Sequence, residues 1–307
     1  MKTFVPLSAA LLVAASAARA QDRFQQEAIV VYHQDKFERV WIADANKTQI
    51  LYFDTERGVD SKKLAISKPQ SIWLMEPAAY TAAMEDYQGR RYEKALAGFQ
   101  KVREDYKKLI TLPDNHSSLS AFYAMECLRK LGRLDELAKA QEEFMPADRE
   151  SITRPYHKRQ IEYYAMWDAV RTKSWDRLQG IASARLAEKP PGYQRAQAAY
   201  CLGLALENLQ RPLEAIDAYN TAMTADSGGS EVVTAQAAEH AMKLYLADED
   251  VKLAKRNFGT ANADPDSRGM ARLHEAAALA ELYQMSLGNG KTLSGPLAEL
   301  AKYAKKD

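Results

Sequence analysis

Hydrophobic residues follow two different periods along this chain, and the change falls at Glu76 and Pro77. From about residue 24 up to that point, β-branched and aromatic residues form short runs separated by turn-forming residues, which is typical of strands. Beyond it, apolar residues recur with a period near 3.6 almost to the end of the chain, which predicts helices. The predicted strands are Glu27–Tyr32, Arg39–Ala43, Thr48–Phe53, Leu64–Ser67 and Ser71–Met75.

The first region, residues 21–76, is predicted to be a small antiparallel β module, because its strands are joined by turns too short to hold crossover helices. It resembles the Sm-like or SH3-like modules near the N-terminus of some exported bacterial repeat proteins, through a Val40-Trp41-Ile42 strand, a turn and an Ile50–Phe53 strand. The same residues also allow a β-hairpin extension packed on the first helical repeat. Both interpretations stay open at this point.

The helical region contains an internal repeat, which is clearest between Ala196 and Ala225. That stretch predicts two short amphipathic helices joined by a tight turn at Gln210–Pro212. Aligning the start of each second helix places equivalent residues 42, 41, 37 and 39 positions apart, at Ala95, Leu137, Leu178, Ala215 and Ala254.

The repeat resembles the tetratricopeptide-repeat (TPR) family, since Leu202, Gly203, Ala215, Tyr219 and Ala222 stand at its offsets. The resemblance implies a mainly α protein in which residues 77–307 form an α-solenoid of about five TPR-like helical hairpins. A final helix pair, Ser267–Ser286 and Leu293–Lys305, is expected to cap the array, because a terminal repeat needs a polar outer face.

The resemblance also implies a concave groove lined by first-helix residues, which holds a protein or peptide partner. Four aromatic residues share one groove position in successive repeats. They are expected either to grip an extended peptide or amphipathic helix, or to pack between helices inside the array. The groove residues carried over from the family pattern are Tyr80, Met84, Tyr87, Phe122, Arg129, Tyr163, Trp167, Arg171, Tyr200, Asn208 and Lys243.

The first twenty residues are predicted to be a cleaved signal peptide. Lys2 precedes an apolar run from Val5 to Ala17, and Ala18-Arg19-Ala20 offers a signal-peptidase site before Gln21. The apolar run is too short to span a bilayer as a helix, and no later apolar stretch is long enough. We therefore expect an exported protein without a transmembrane segment after cleavage, in the periplasm or outside a Gram-negative bacterium.

Charge and cysteine content limit the remaining possibilities. Without Lys2 and Arg19, 40 basic residues stand against 41 acidic ones, so the sequence gives no electrostatic indication of nucleic-acid binding. Cys127 and Cys201 are expected to be two buried thiols, although an oxidising compartment also permits a disulfide between them.

Catalytic motifs are incomplete. His274-Glu275 begins like a zinc-protease helix, but Ala278 stands where the second histidine ligand belongs, and Gly288–Thr292 lacks the first glycine of a phosphate-binding loop. The sequence therefore predicts a non-enzymatic scaffold without cofactor or metal, which binds a protein or peptide in a cell-envelope assembly. Two alternatives are a structural component that self-associates through the β module, and a glycan or small-ligand binder that uses the groove aromatics.

Overall fold

The computed structural model describes residues 24–33, 35–226, 231–288 and 290–305, so the predicted signal peptide lies outside the described residues. The protein is mainly helical, with a small antiparallel sheet before the helices. It divides into two compact units, Met1–Ile161 and Glu162–Asp307, which we describe separately. The sheet shares the first unit with the helices that immediately follow it.

The sheet confirms all five predicted strands and their antiparallel pairing. Four strands form a meander, and the fifth returns to pair with the first, which gives the order β4-β3-β2-β1-β5. Within the described residues β4 and β5 are therefore the two edges. The strands are β1 (Gln26–His33), β2 (Lys36–Ala45), β3 (Gln49–Phe53), β4 (Lys62–Ala65) and β5 (Ser71–Leu74).

One face of the sheet is buried, because alternate residues of a strand share a face: Ala28 and Val30 of β1 and Val40 and Ile42 of β2 are buried, while their neighbours Ile29, Val31 and Trp41 are less so. Val30, Ile42 and Ile50 form a core with Leu109 and Leu112, which belong to the segment between the second and third helices. The sheet is thus packed against the helical part of its own unit.

Within residues 24–33 and 35–161, the first unit contains five complete α-helices. Paired neighbours in the chain contact each other, α1 with α2 and α3 with α4, and α2 also contacts α3. The helices are α1 (Ala78–Gln88), α2 (Tyr92–Asp105), α3 (His116–Lys130), α4 (Leu134–Glu143) and α5 (Pro146–Ser151), and α6 (Pro155–Arg171) crosses the boundary between the units.

The second unit continues the helical pattern. A core that includes Met242, Tyr245, Leu273 and Tyr283 joins its last helices, and Leu300 from the C-terminal segment covers part of it. The helices are α7 (Trp175–Ala187), α8 (Gly192–Asn208), α9 (Pro212–Ala225), α10 (Val233–Ala247), α11 (Glu249–Asn257) and α12 (Arg268–Leu282). Single helical turns follow at Tyr283–Leu287, Gly295–Leu297 and Leu300–Tyr303.

The same turn occurs four times, between α1 and α2, α3 and α4, α6 and α7, and α8 and α9. Its central residue has a positive φ, at Arg90, Gly132, Lys173 and Gln210, which are 42, 41 and 37 positions apart. These spacings equal the first three predicted from the sequence. In each turn the next residue donates its N–H to a carbonyl five positions back, which is the Schellman ending of a helix. The pairs are Arg91–Asp86, Arg133–Leu128, Ser174–Ala169 and Arg211–Leu206.

Within α8 and α9, Gly203 lies directly against the ring of Tyr219, so a Cβ at Gly203 would come within 2.4 Å of Tyr219 Cε1. Ala215 is fully buried on the same helix as Tyr219. The two helices therefore approach closely at the small residues that the repeat pattern singled out.

The two cysteines, Cys127 and Cys201, are buried thiols that no disulfide joins. Across the described ranges, no helix is both long and apolar enough to cross a membrane.

Candidate functional site

The aromatic side chains of the predicted groove are buried. Tyr80, Phe122, Tyr163 and Tyr200 are each at most 6% exposed, and Trp167 is 5% exposed. Their rings contact other side chains of their own units: Tyr80 lies edge-on to Phe99, and Tyr200 lies beside Tyr219. The sequence allowed these rings either to grip a partner or to pack between helices. Their burial fits packing between helices.

Arg129 is also buried. Its guanidinium donates two hydrogen bonds, of 2.9 and 2.8 Å, to the two carboxylate oxygens of Glu126 one turn earlier. Gln160 donates a third hydrogen bond to Glu126, at 3.1 Å. Because this arginine is buried and its guanidinium is bonded to Glu126, it does not present its charge to a partner.

The three predicted polar residues of the second unit, Arg171, Asn208 and Lys243, are exposed. Arg171 pairs with Asp168 at 2.8 Å, and the Asn208 amide donates to the carbonyl of Leu204. In the first unit, Met84 and Tyr87 are half-buried. The groove role of the eleven residues stays a prediction. Two of them, Tyr80 and Met84, line the same cleft.

This cleft, in the first unit, has a volume of about 470 Å³, within the range of about 300–1,000 Å³ that ligand sites occupy. Strand β5 forms one wall. Two helix faces form the others, because residues three or four positions apart share one side of a helix. Helix α1 contributes Tyr80, Met84 and Gln88, and helix α3 contributes His116, Leu119 and Tyr123.

Strand β5 exposes part of its main chain along the cleft. Met75, just after the strand, donates its N–H to the carbonyl of Glu27 at 2.9 Å, and Trp73 lies opposite Ile29. Bonded and non-bonded pairs alternate in an antiparallel ladder. The N–H and C=O groups of Ile72 and Leu74 therefore face away from β1, towards the open edge.

The aromatic floor of the cleft is uncharged near neutral pH. Burial lowers the pKa of His116 to about 4 and raises the pKa of the Tyr80 hydroxyl. The His116 ring lies 5.0 Å from the Tyr80 ring, centroid to centroid, and its Nδ1 has no hydrogen-bond partner among the described residues.

A second buried histidine lies behind this floor. His157 is fully buried and its Nε2 lies 3.3 Å from the hydroxyl of Tyr123. Burial lowers its pKa to about 4 as well. Two neutral imidazoles therefore belong to the folded state of the first unit.

Among the described residues that line the cleft, Arg154 is the cation, and Asp114 and Glu76 are carboxylates. The Arg154 side chain is half-exposed, its Nε lies 3.9 Å from Asp114 Oδ2, and it donates one long hydrogen bond, of 3.3 Å, to the Tyr156 hydroxyl. Asp114 itself accepts hydrogen bonds from the main chain and hydroxyl of Thr153. Arg154 is thus paired with Asp114 and Tyr156, while its side chain stays half-exposed.

In the second unit, Glu207 accepts hydrogen bonds from Tyr219 at 2.6 Å and pairs with His240 Nδ1 at 2.8 Å. Burial raises the pKa of the Glu207 carboxyl, but the hydrogen bonds from His240 and Tyr219 outweigh it and lower the pKa overall. This group fixes the contact between α8, α9 and α10.

Among the residues that the structure describes, no three His, Cys, Asp or Glu side chains are grouped as a metal site would require.

Sequence reasoning missed two parts of the cleft. The open edge of β5 had a partial signal, since Ser71–Met75 was the last predicted strand, but its pairing with β1 was not predicted. Arg154 had none, because it lies in a short segment between α5 and α6 and reaches the cleft only through tertiary packing.

Comparisons with known proteins identify no relative. No protein-family model matches the chain, and no match was found among curated proteins or among solved structures.

Proposed function

We propose that this chain is an exported, non-enzymatic scaffold of the TPR type that binds a protein or peptide partner, and that the cleft of the first unit is its binding site. The observation that carries the proposal is the position of this cleft beside an open strand edge. It combines main-chain hydrogen-bonding groups, a half-buried apolar surface at Met84 and a guanidinium at Arg154. Peptide-binding sites typically combine these features.

The scaffold part of the proposal is supported by the four identical helix–turn–helix connections. Repeated hairpins of this kind serve mainly to hold a surface rigid, since each repeat contacts its neighbours. The proposed location, in a bacterial envelope, follows from the predicted signal peptide. The burial of Tyr163, Trp167 and Tyr200 removes them as a stacking surface, and Tyr80 is equally buried, so the binding site is assigned to the half-buried Met84 and the β5 side of the cleft.

Substitution of Met84 tests this site. Arginine at position 84 would fill the cleft with a long charged side chain, whereas Met285, which is 77% exposed in the second unit, accepts the same substitution at the surface. We expect Met84→Arg to lose the proteins that the wild-type mature chain captures from its native envelope fraction, and Met285→Arg to keep them. Equal capture by the two variants, with unchanged helicity, would place the binding site elsewhere.

Self-association through the β module is a second candidate, favoured by the two edge strands that the described part of the sheet leaves open. It predicts a molar mass that increases with concentration in size-exclusion chromatography with light scattering. A single monomer mass at all concentrations would exclude it.

A further inference from the structure

The acceptor tripeptide of asparagine-linked glycosylation, Asn-x-Ser/Thr without proline at the middle position, occurs twice in this chain. The two copies are Asn46-Lys47-Thr48 and Asn115-His116-Ser117. A glycan is bulky and hydrophilic, so a folded protein can carry one only at an asparagine whose side-chain amide nitrogen reaches solvent. The surroundings of the two asparagines therefore decide which copy can be an acceptor.

The second copy belongs to the interior of the first unit. Asn115 is fully buried, and its Nδ2 donates hydrogen bonds to the carbonyl of Leu112 at 2.9 Å and to Ser118 Oγ at 3.2 Å. Its Oδ1 accepts from the main-chain N–H of Ser118 at 2.8 Å, which caps helix α3. The hydroxyl of Ser117 is also used, as a donor to the carbonyl of Arg103. This copy has neither a free amide hydrogen nor space for a sugar.

The first copy lies in the turn between β2 and β3, where Asn46, Lys47 and Thr48 are all exposed. Asn46 Oδ1 accepts three hydrogen bonds, from the main-chain N–H groups of Thr48 at 2.9 Å and Gln49 at 3.0 Å and from the Thr48 hydroxyl at 2.9 Å. Two main-chain donors identify this atom as the oxygen. The Asn46 Nδ2 makes no hydrogen bond to any residue that the structure describes. The turn therefore holds the amide by its oxygen and leaves its nitrogen open to solvent.

We infer that Asn46 is the attachment site of an N-linked glycan. The inference goes beyond the binding function and depends only on the exported location proposed for the chain. The co-substrate is a lipid-linked oligosaccharide, in which the first sugar is bonded to a polyprenyl diphosphate, and a separate transferase supplies the catalytic groups. Asn46 Nδ2 forms a bond to the anomeric carbon and releases one proton. The bond from that carbon to the diphosphate oxygen breaks, and the polyprenyl diphosphate leaves with the electron pair.

The acceptor turn is anchored on both sides. Lys47 Nζ lies 3.2 Å from Glu150 Oε2 of helix α5, and both side chains are exposed. Ile66, which directly follows β4, donates its N–H to the carbonyl of Thr48 at 2.9 Å. A glycan on Asn46 would therefore stand beside the end of an edge strand, where a bulky hydrophilic group hinders pairing with another chain.

The first experiment is mass spectrometry of the chain purified from its native envelope fraction. We expect an intact mass above that of the mature sequence, and peptide fragmentation should place the added sugars on Asn46 and none on Asn115. Unmodified Asn46 would overturn the inference. The same peptide map identifies the N-terminus, so a chain that begins at Gln21 with unmodified Asn46 would leave the exported location in place and remove the glycan alone.

Two substitutions at Thr48 separate an N-linked glycan from any other modification of the turn. Thr48→Ser keeps the hydroxyl of the acceptor tripeptide, whereas Thr48→Val removes it and leaves both main-chain hydrogen bonds to Asn46 Oδ1. In the native host, we expect the serine variant to be modified and the valine variant to lose the added mass, with circular dichroism unchanged in both. Equal modification of the two variants would overturn the N-linked assignment. Sugars on Asn115 would show that attachment precedes folding and would refute the selection by exposure.

Discussion

Replacing Gly203 by alanine should destabilise the second unit, although alanine favours helices more than glycine does. Gly203 lies inside α8, and the new Cβ would stand 2.4 to 2.9 Å from three ring carbons of Tyr219. The ring cannot move aside easily, because Tyr219 is fully buried and its hydroxyl donates to Glu207 at 2.6 Å.

The expected size follows from three contributions. Alanine in a helix interior gains about 1 kcal/mol over glycine. Forcing an extra methyl group into a packed contact costs about 1–3 kcal/mol. Displacing the ring also weakens a hydrogen bond to a carboxylate, worth about 1.5–3 kcal/mol. We therefore expect the free energy of unfolding to fall by about 3 kcal/mol.

Gly180 provides the matched control. It lies inside α7 of the same unit, and a Cβ there meets no atom within 4 Å. Gly180→Ala should therefore raise the free energy of unfolding by up to about 1 kcal/mol. Urea unfolding followed by far-ultraviolet circular dichroism and tryptophan fluorescence would compare the two variants.

The double variant Gly203→Ala with Tyr219→Ala isolates the contact. Once the ring is absent, the alanine at position 203 should no longer destabilise, which gives a large coupling energy in the cycle. If Gly203→Ala alone is as stabilising as Gly180→Ala, the close approach of α8 and α9 at this point is wrong.

Three further predictions concern the first unit. His116 and His157 have pKa values near 4 in the folded protein, below the ordinary 6.5, so the unfolded chain binds protons first as the pH falls. The free energy of unfolding should then decline as the pH falls from about 6.5 to 4, by on the order of 3 kcal/mol per histidine. Replacing either histidine by phenylalanine should flatten a plot of urea midpoint against pH. Glu126→Ala should cost about 3–5 kcal/mol, because it removes the carboxylate that the buried Arg129 guanidinium bonds at two points, whereas Glu126→Leu with Arg129→Met should recover most of that loss in the same urea assay. Burial raises the pKa of the Cys127 thiol to about 12, so Cys127 should resist alkylation until the protein unfolds. Intact-mass measurements follow the labelling, and rapid labelling of the native chain would contradict the burial of Cys127.

Local sequence patterns predicted most of the secondary structure, but the expected cap helix Leu293–Lys305 was wrong, since that segment forms only 3-10 turns at Gly295–Leu297 and Leu300–Tyr303. Turn residues and β-branched runs located all five strands, and the repeat alignment located the four equivalent turns, because both signals depend on neighbouring residues. Gly132 is the only glycine among those turn centres. Arg90, Lys173 and Gln210 adopt the same positive φ without the glycine signal, so their turns were located by phase within the repeat.

The candidate site was much less predictable. Position within the repeat correctly identified Tyr80 and Met84 as residues of one helix face, but it did not determine burial, which depends on the helices packed against that face. Arg129 illustrates this limit. It stands at a groove position of the repeat, but its side chain is buried and bonded to Glu126. The cleft itself requires β5 to pair with β1, a contact between residues 40 to 46 positions apart.

The most direct test of the proposed binding mode is amide hydrogen exchange at β5, measured by NMR on the mature chain with and without its captured partner. The account predicts that exchange at Ile72 and Leu74 slows by about tenfold or more on binding, because their outward N–H groups become hydrogen-bonded. Trp73, already paired with β1, should change little. Unchanged exchange at Ile72 and Leu74 in a saturated complex would contradict the account.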